Sequence, residues 1–514
     1  MTEYGQTTPS ALAHAAAAFG DDNAIVDGSR TITFGQLRDV VLEAARAFCT
    51  LGVQPGDAVA IWAPNTYQWV ISALAAHHAG GVLIPINTRY TTAEATELLK
   101  RTRARLLVVP EVFLGVDRSA ELDLGALPGL NVVTFPMDAQ SRASDSAGVS
   151  WDRLPELAVS TPESVVAERA SAVTADTIGD ILFTSGTTGR SKGAMSAHRQ
   201  SLSVARAWAE CTGLRRQDRY LVVNPFFHSF GFKAGILAAL TVGATIYPMA
   251  VYDPDTALAL IVEHRITVLP GAPTIFSTIL DHPGRRDLDL SSLRLAVTGA
   301  AVVPVRLIER MRDELTFETI LTAYGLTEAV VATMCRPGDD DDTVASTSGG
   351  AAAGFEIRIG DNGEIQLRGP NVMLGYLDDP VATAAAVDHN GWLGTGDVGT
   401  LDDRGYLTVT DRLKDMYISG GFNVYPAEVE QVLLEFDGVA DVAVVGKPDH
   451  RMGEVGVAVV VPAPGANVAG DDLIAYSRSR LAGFKVPTSV ELRRELPRNA
   501  GGKVLKRVLR EELR

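Results

Sequence analysis

Cysteine is scarce: the 514-residue chain holds three, Cys49, Cys211 and Cys335, widely spaced and odd in number. That supplies neither a disulfide framework nor a cysteine metal site, and it fits a reducing cytoplasm. Positive charge is also short. With 46 Lys and Arg against 62 Asp and Glu, the net charge is −16, which argues against nonspecific binding to nucleic acid or anionic membrane. Any polyanionic ligand must then be held by locally placed cations. A long uninterrupted apolar run is missing too. The best candidate, Gly235 to Val251, is broken by Gly243 and Pro248, and reads as a buried helix followed by a strand rather than a membrane span. Met1-Thr2-Glu3-Tyr4 offers no basic region leading into an apolar run, so no signal peptide is evident. A soluble, cytoplasmic protein is expected.

What is present is ordinary globular material, 46% hydrophobic and 21% charged. The length predicts at least two domains. Strand-like and helix-like segments alternate from the start. Thr31–Phe34 precedes a helical pattern from Leu37 to Phe48. Ala58 to Trp62 reads as a strand, and Asn65 is placed to cap a helix through Trp69 and Leu74. Val82–Pro85, Leu106–Val109, Ile266–Leu269 and Leu293–Val297 read as further strands, and Thr91 with Glu94 forms a capping box. The rhythm predicts α/β architecture with largely parallel, buried sheets. Ser141 to Gly148 reads as a polar loop and Asp339 to Asp342 as a solvated acidic loop. From Phe355 short alternating strands take over. A boundary near Asp411 to Lys414 would leave a segment of about a hundred residues with β-α-β-β-α-β order.

Thr184-Ser185-Gly186-Thr187-Thr188-Gly189-Arg190-Ser191-Lys192-Gly193 follows the apolar run Ile181-Leu182-Phe183. Its glycines let backbone N–H groups turn toward an anion, its hydroxyls donate, and Arg190 and Lys192 add charge. It is a phosphate cradle by chemistry, although not a Walker A loop, because Lys192 precedes Gly193 rather than a Ser or Thr. Other signals are individually bland. Tyr324-Gly325-Leu326-Thr327-Glu328 reads equally as a capped helix start, Thr395-Gly396-Asp397 as an Asx turn, and Asp411 to Asp415 as weak surface ion pairs.

Taken in order, these stretches together with Pro497–Lys503 resemble the adenylate-forming superfamily of acyl-CoA synthetases, luciferases and nonribosomal-peptide adenylation domains. The resemblance runs from about residue 8 to 512. It implies a large N-terminal domain of mostly parallel sheets, residues 1–411, and a small mobile α+β C-terminal domain, residues 412–514. It further implies ATP, Mg2+ and coenzyme A as cofactors and a small carboxylic acid as substrate. Thr184, Ser185, Gly186, Thr187, Thr188, Gly189 and Lys192 would wrap the departing phosphates. Gly299, Ala300, Ala301 and Tyr324 would form the adenine slot. Thr327 would touch the α-phosphate, and Glu328, with Thr184, would hold Mg2+. Asp397 would take the ribose, and Arg412 would grip ribose or phosphate. Lys503 would be the catalytic lysine, Lys414 the hinge, and Gly420 and Gly421 the lining of a pantetheine tunnel. His228, in Asn224-Pro225-Phe226-Phe227-His228, matches the gate between the carboxylate and the thiol. Lys233 is odd after such an apolar run; it would either close a helix start, the favoured reading, or meet a polar group on the substrate.

Around Asn224–Gly235, Tyr324–Glu328 and Asp411–Glu430 the chain looks most like an actinobacterial subgroup. That subgroup activates the bicyclic methylhexahydroindanedione propanoate left by steroid ring A and B degradation. A medium-chain fatty acid or an aryl acid is the alternative substrate. A free-standing enzyme loading a carrier protein, a luciferase-like oxygenase and a catalytically dead nucleotide-binding regulator are the competing classes. Neither nucleic acid nor a membrane span is expected as a partner, and a homodimer is left open.

Overall fold

Runs of apolar residues without polar interruption form strands covered on both faces, and two large sheets are built from them. The computed structural model describes residues 5–137, 148–184, 191–299, 303, 305–360, 363–412, 416–424, 426–497, 504 and 506–513. By internal contacts the chain divides into two units. One comprises Met1–Thr88, Leu99–Leu182 and Ala194–Thr410, the other Arg89–Leu98, Phe183–Gly193 and Asp411–Arg514.

In the first unit a nine-stranded sheet runs Gly350–Ala351, Thr333–Met334, Thr319–Tyr324, Leu295–Gly299, Val268–Pro270, Arg219–Val222, Thr245–Pro248, Asn23–Asp27, Arg30–Thr33. Its inner pairs are parallel and antiparallel pairing is confined to its ends. An eight-stranded sheet centres on Ala58–Ile61 and Val82–Pro85, again parallel, and ends antiparallel at Gly375–Tyr376 against Lys192–Ala197. The helix Tyr67–His78 is buried from Gln68 onward. It packs on Asn23–Asp27 of one sheet and on Ala58–Ile61 and Val82–Pro85 of the other, so apolar residues all round it are accounted for. A four-stranded antiparallel sheet, Glu356–Ile359, Glu364–Arg368, Leu393–Leu401 and Leu407–Arg412 in that order, carries the short alternating strands. The α/β class and the mostly parallel sheets are as expected.

The second unit has the hairpin Tyr417–Ser419 and Phe422–Val424, then Pro426–Leu434, Val439–Asp449, Gly453–Pro462, Gly470–Arg478, Ser489–Leu492 and Lys506–Glu512. From Phe422 to Leu492 this is the β-α-β-β-α-β order. Among the described residues no helix is long and apolar enough to cross a membrane.

Some local expectations need correcting. Asn65 is not the helix cap. The hydroxyl of Thr66 accepts from the Trp69 N–H at 3.3 Å, because an Asn committed to distant backbone cannot also cap. The acidic stretch is not a free loop either. Asp340 caps the helix Asp341–Ser346, Asp339 accepts from the Arg336 N–H and the Tyr406 hydroxyl, and Asp341 pairs with Arg312. No metal-holding group of acidic, His or Cys side chains occurs among the described residues. Of the expected polar loop Ser141 to Gly148, residues 141–147 lie outside them.

Candidate functional site

Parallel strands deliver the loops at their carboxyl ends to one edge of a sheet, and ligands of open α/β folds bind at such edges. Arg219–Val222, Leu295–Gly299 and Thr319–Tyr324 all run the same way in the nine-stranded sheet. The chain leaving their ends carries Asn224–His228, Gly299 and Tyr324–Glu328. A Cβ on Gly299 would stand 2.7 Å from the Ala323 carbonyl, so a side chain there would force the two strand ends apart. Ala300 and Ala301 lie outside the described residues.

Tyr324 ends its strand and opens a turn; no helix starts there, so the capped-helix alternative falls away. A Cβ on Gly325 would overlap the Val330 carbonyl at 1.8 Å, and Val330 itself has a left-handed φ of 66°. The turn folds back on itself too tightly for helix. It leaves Thr327 and Glu328 half-buried. The Tyr324 hydroxyl donates to Asp397 Oδ2 at 2.7 Å, which ties the expected adenine-side ring to the expected ribose acceptor. Asp397 is presented by a kink in Leu393–Leu401. Gly396 adopts φ 74°, its N–H goes to Glu364 Oε1 at 2.9 Å, and the Asp397 N–H goes to the Thr395 hydroxyl. The turn is thus closed by the Thr395 hydroxyl.

Glu328 is held from a segment that carries no signal in the sequence. Tyr376 Oη donates to Glu328 Oε1 at 2.7 Å, and the Met373 N–H donates to the Glu328 carbonyl at 2.8 Å. A hydroxyl donor orients the carboxylate, and a carboxylate offers about four lone-pair sites. That chemistry fits a hard cation such as Mg2+. Tyr376→Phe is expected to raise the Mg2+ concentration for half-maximal activity about ten-fold, as loss of an outer orienting group commonly does. A Mg2+ titration of ATP–pyrophosphate exchange checks it; an unchanged midpoint would deny Tyr376 that role.

The His228 segment is stapled rather than free. Asn65 Nδ2 donates to the Val222 and Asn224 carbonyls, each at 3.0 Å, and Asn65 Oδ1 accepts from the Phe226 N–H at 2.7 Å. Gly231 lies so close to the same turn that a Cβ would sit 2.1 Å from the Pro225 carbonyl. The His228 ring has accessible surface, yet protein packed around it lowers its pKa by desolvation. Its Nδ1 accepts from the Phe230 N–H at 3.2 Å, which places the proton of the neutral ring on Nε2.

Lys233 fulfils neither expectation. It lies inside the π-helix Phe230–Leu237, wholly buried, and is ion-paired with Asp180 at 2.8 Å. A cation so committed is unavailable to a substrate ketone.

In the second unit, the Thr184 hydroxyl donates to the Lys192 carbonyl over a long 3.4 Å, between the two ends of the expected phosphate cradle. Ser185, Gly186, Thr187, Thr188 and Gly189 lie outside the described residues, as do Lys414 and Lys503, and the Arg412 side chain is likewise not described. Gly420 and Gly421, at φ 58° and 82°, form the tip of the hairpin. Two consecutive left-handed residues are what a tight two-residue hairpin turn needs, so the glycines have a local reason independent of any tunnel.

Two family descriptions match the chain, AMP-binding enzyme over residues 12–377 and AMP-binding enzyme C-terminal domain over 428–503. It is 57% identical over 515 residues, covering 100% of both chains, to the 3-[(3aS,4S,7aS)-7a-methyl-1,5-dioxo-octahydro-1H-inden-4-yl]propanoyl:CoA ligase of Rhodococcus jostii. It is 56% identical to the ligase of the same name from Mycobacterium tuberculosis, covering 98% of this chain and 99% of the other. Among solved structures, the Mycobacterium tuberculosis fatty acyl CoA synthetase superposes with a TM-score of 0.71 at 30% identity, over 99% of this chain and 98% of that one.

Proposed function

Because the chain belongs to the AMP-binding enzyme family, we propose that it is an ATP-dependent acid–CoA ligase acting on the bicyclic methylhexahydroindanedione propanoate. The substrate carboxylate attacks the α-phosphorus of ATP, the bond to the β-phosphate breaks, and acyl-AMP and pyrophosphate result. The thiol of coenzyme A then attacks the acyl carbon, AMP leaves, and a thioester forms. The single observation carrying the choice of acid is 57% identity, end to end, to a ligase named for that acid. A compartment with reduced thiols, the cytoplasm, agrees with three free cysteines.

The residues divide the work by charge. Tyr324 offers a ring face for the base, its orientation set by the hydrogen bond to Asp397. Asp397 offers an ionised acceptor for ribose hydroxyls. Glu328, oriented by Tyr376, would hold Mg2+, which supplies neutralisation of phosphate charge. Thr327, on the same turn, would touch the α-phosphate. His228, neutral and donating from Nε2, would stand between acid and thiol without adding a charge to either path. Lys503 would place an ammonium between carboxylate and phosphate, and rotation about Lys414 would withdraw it before the thiol arrives. Gly420 and Gly421 would then line the pantetheine path. No general base is needed, since the attacking carboxylate is already ionised.

The thiol acceptor separates this reading from carrier-protein loading. With free coenzyme A, AMP release and thioester are expected in equal amounts. Acyl transfer to a carrier protein with none to free coenzyme A would replace it with the carrier-loading alternative.

A further inference from the structure

Lys233 is absent from the chemistry above, yet it is one of the most completely buried side chains, at 0% exposure. Its Nζ lies 2.8 Å from Asp180 Oδ1 and donates to Ser196 Oγ at 2.9 Å. Asp180, 1% exposed, also accepts from Ser201 Oγ at 2.7 Å. Close by, His77 donates Nε2–H to the Gly179 carbonyl at 3.0 Å and is kept neutral by burial, which lowers its pKa to about 4. The Tyr220 hydroxyl donates to the Ala234 carbonyl at 3.1 Å, satisfying a backbone acceptor in the π-helix.

A buried ion pair is a weak source of stability. Desolvating both charges costs about as much as their attraction returns, and apolar replacements are often neutral or stabilising. The π-helix that carries Lys233 is rare geometry that recurs at functional sites. Stability alone therefore does not explain the cluster. Its connections do. Asp180 lies on Ile178–Thr184, which enters the phosphate loop, and Ser196 lies on Lys192–Ala197, which leaves it. Lys233 lies on the helix that begins two residues after His228. One ammonium thus joins both flanks of the phosphate loop to the segment expected to gate the acid.

We infer that Lys233 is a positioning residue that holds the His228 segment in register with the two strands framing the phosphate loop. Asp180 and Ser196 are its anchors. The acid carboxylate and the α-phosphate must meet within bonding distance; the His228 segment would border the acid, and the loop between the two strands would hold the departing phosphates to which the α-phosphate is bonded. The inference rests on the ligase reading given above.

The test compares Lys233→Met, Lys233→Met with Asp180→Leu, and the milder Ser196→Ala, which keeps the ion pair. Lys233→Met leaves Asp180 buried without its cation, and its Tm is expected to fall steeply. The double variant removes both charges and is expected to regain most of the lost Tm. Its KM values for ATP and acid are nevertheless expected to stay about ten-fold raised, with exchange kcat about a hundred-fold lower, as a misplacement near 1 Å costs. Ser196→Ala is expected to raise the ATP KM alone, by roughly three-fold, the worth of one hydrogen bond. Calorimetric binding of Mg·ATP reads the phosphate side without turnover, so it does not depend on which acid the enzyme uses. Wild-type exchange in the same experiment tests the ligase reading separately. A double variant with restored Tm and wild-type affinity for Mg·ATP and wild-type KM values would overturn the positioning role.

Discussion

Lys503→Ala is expected to lower acid-dependent ATP–pyrophosphate exchange by about a thousand-fold while leaving thioester formation from preformed acyl-adenylate intact. The magnitude follows from elementary electrostatics. Two unit charges about 4 Å apart repel by roughly 4 kcal/mol at an effective dielectric near 20, which is about three decades of rate. An ammonium between the attacking carboxylate and the α-phosphate offsets that repulsion only while the P–O bond forms. The thiol step has no such pair of anions to screen, because the acyl-phosphate is already made. Both half-reactions are measurable apart, by exchange of labelled pyrophosphate and by mixing acyl-adenylate with coenzyme A. Equal loss in both would show that Lys503 serves folding or nucleotide binding in general.

The second large effect is expected at Glu328. Glu328→Gln keeps the side-chain shape and an acceptor for the Tyr376 hydroxyl, but it removes the charge that a hard cation requires. Exchange kcat is expected to fall by at least about a hundred-fold, the scale seen when one electrostatic partner of a transition state is lost. The loss should be partly recovered by raising Mg2+, because weakened binding is opposed by mass action. Tyr376→Phe should show the same dependence in milder form, since it disturbs the carboxylate without discharging it. A Glu328→Gln variant with unaltered Mg2+ dependence would move the metal elsewhere.

Local patterns explain how much of this is legible in the sequence. Continuous apolar runs such as Val82–Pro85 and Leu106–Val109 read directly as buried parallel strands, because burial on both faces suppresses alternation. The β-α-β-β-α-β order of the second unit is legible for the same reason. Turn glycines are partly legible. Gly396 and Gly325 sit in motifs, but only the structure shows that one adopts a left-handed φ and the other lies against the Val330 carbonyl. Asn65 misleads because a polar residue ahead of a helix is ordinarily a cap. Its partners, Val222, Asn224 and Phe226, lie about 160 residues away, beyond any local rule. Tyr376 meets Glu328 across 48 residues, and nothing around Gly375-Tyr376 marks it. Lys233 shows the limit most plainly. A lysine in an apolar run signals something unusual, but its partners Asp180 and Ser196 come from strands earlier in the chain.

The acid is the property that the fold says least about, and one ratio tests it. CoA-dependent AMP release should be measured with the bicyclic methylhexahydroindanedione propanoate and with octanoate, in the same buffer and with saturating ATP, Mg2+ and coenzyme A. The expected result is a larger kcat/KM for the bicyclic acid, by at least about ten-fold, or about 1.4 kcal/mol of differential transition-state binding. A larger kcat/KM for octanoate would contradict the assignment and make the enzyme a medium-chain fatty acid ligase.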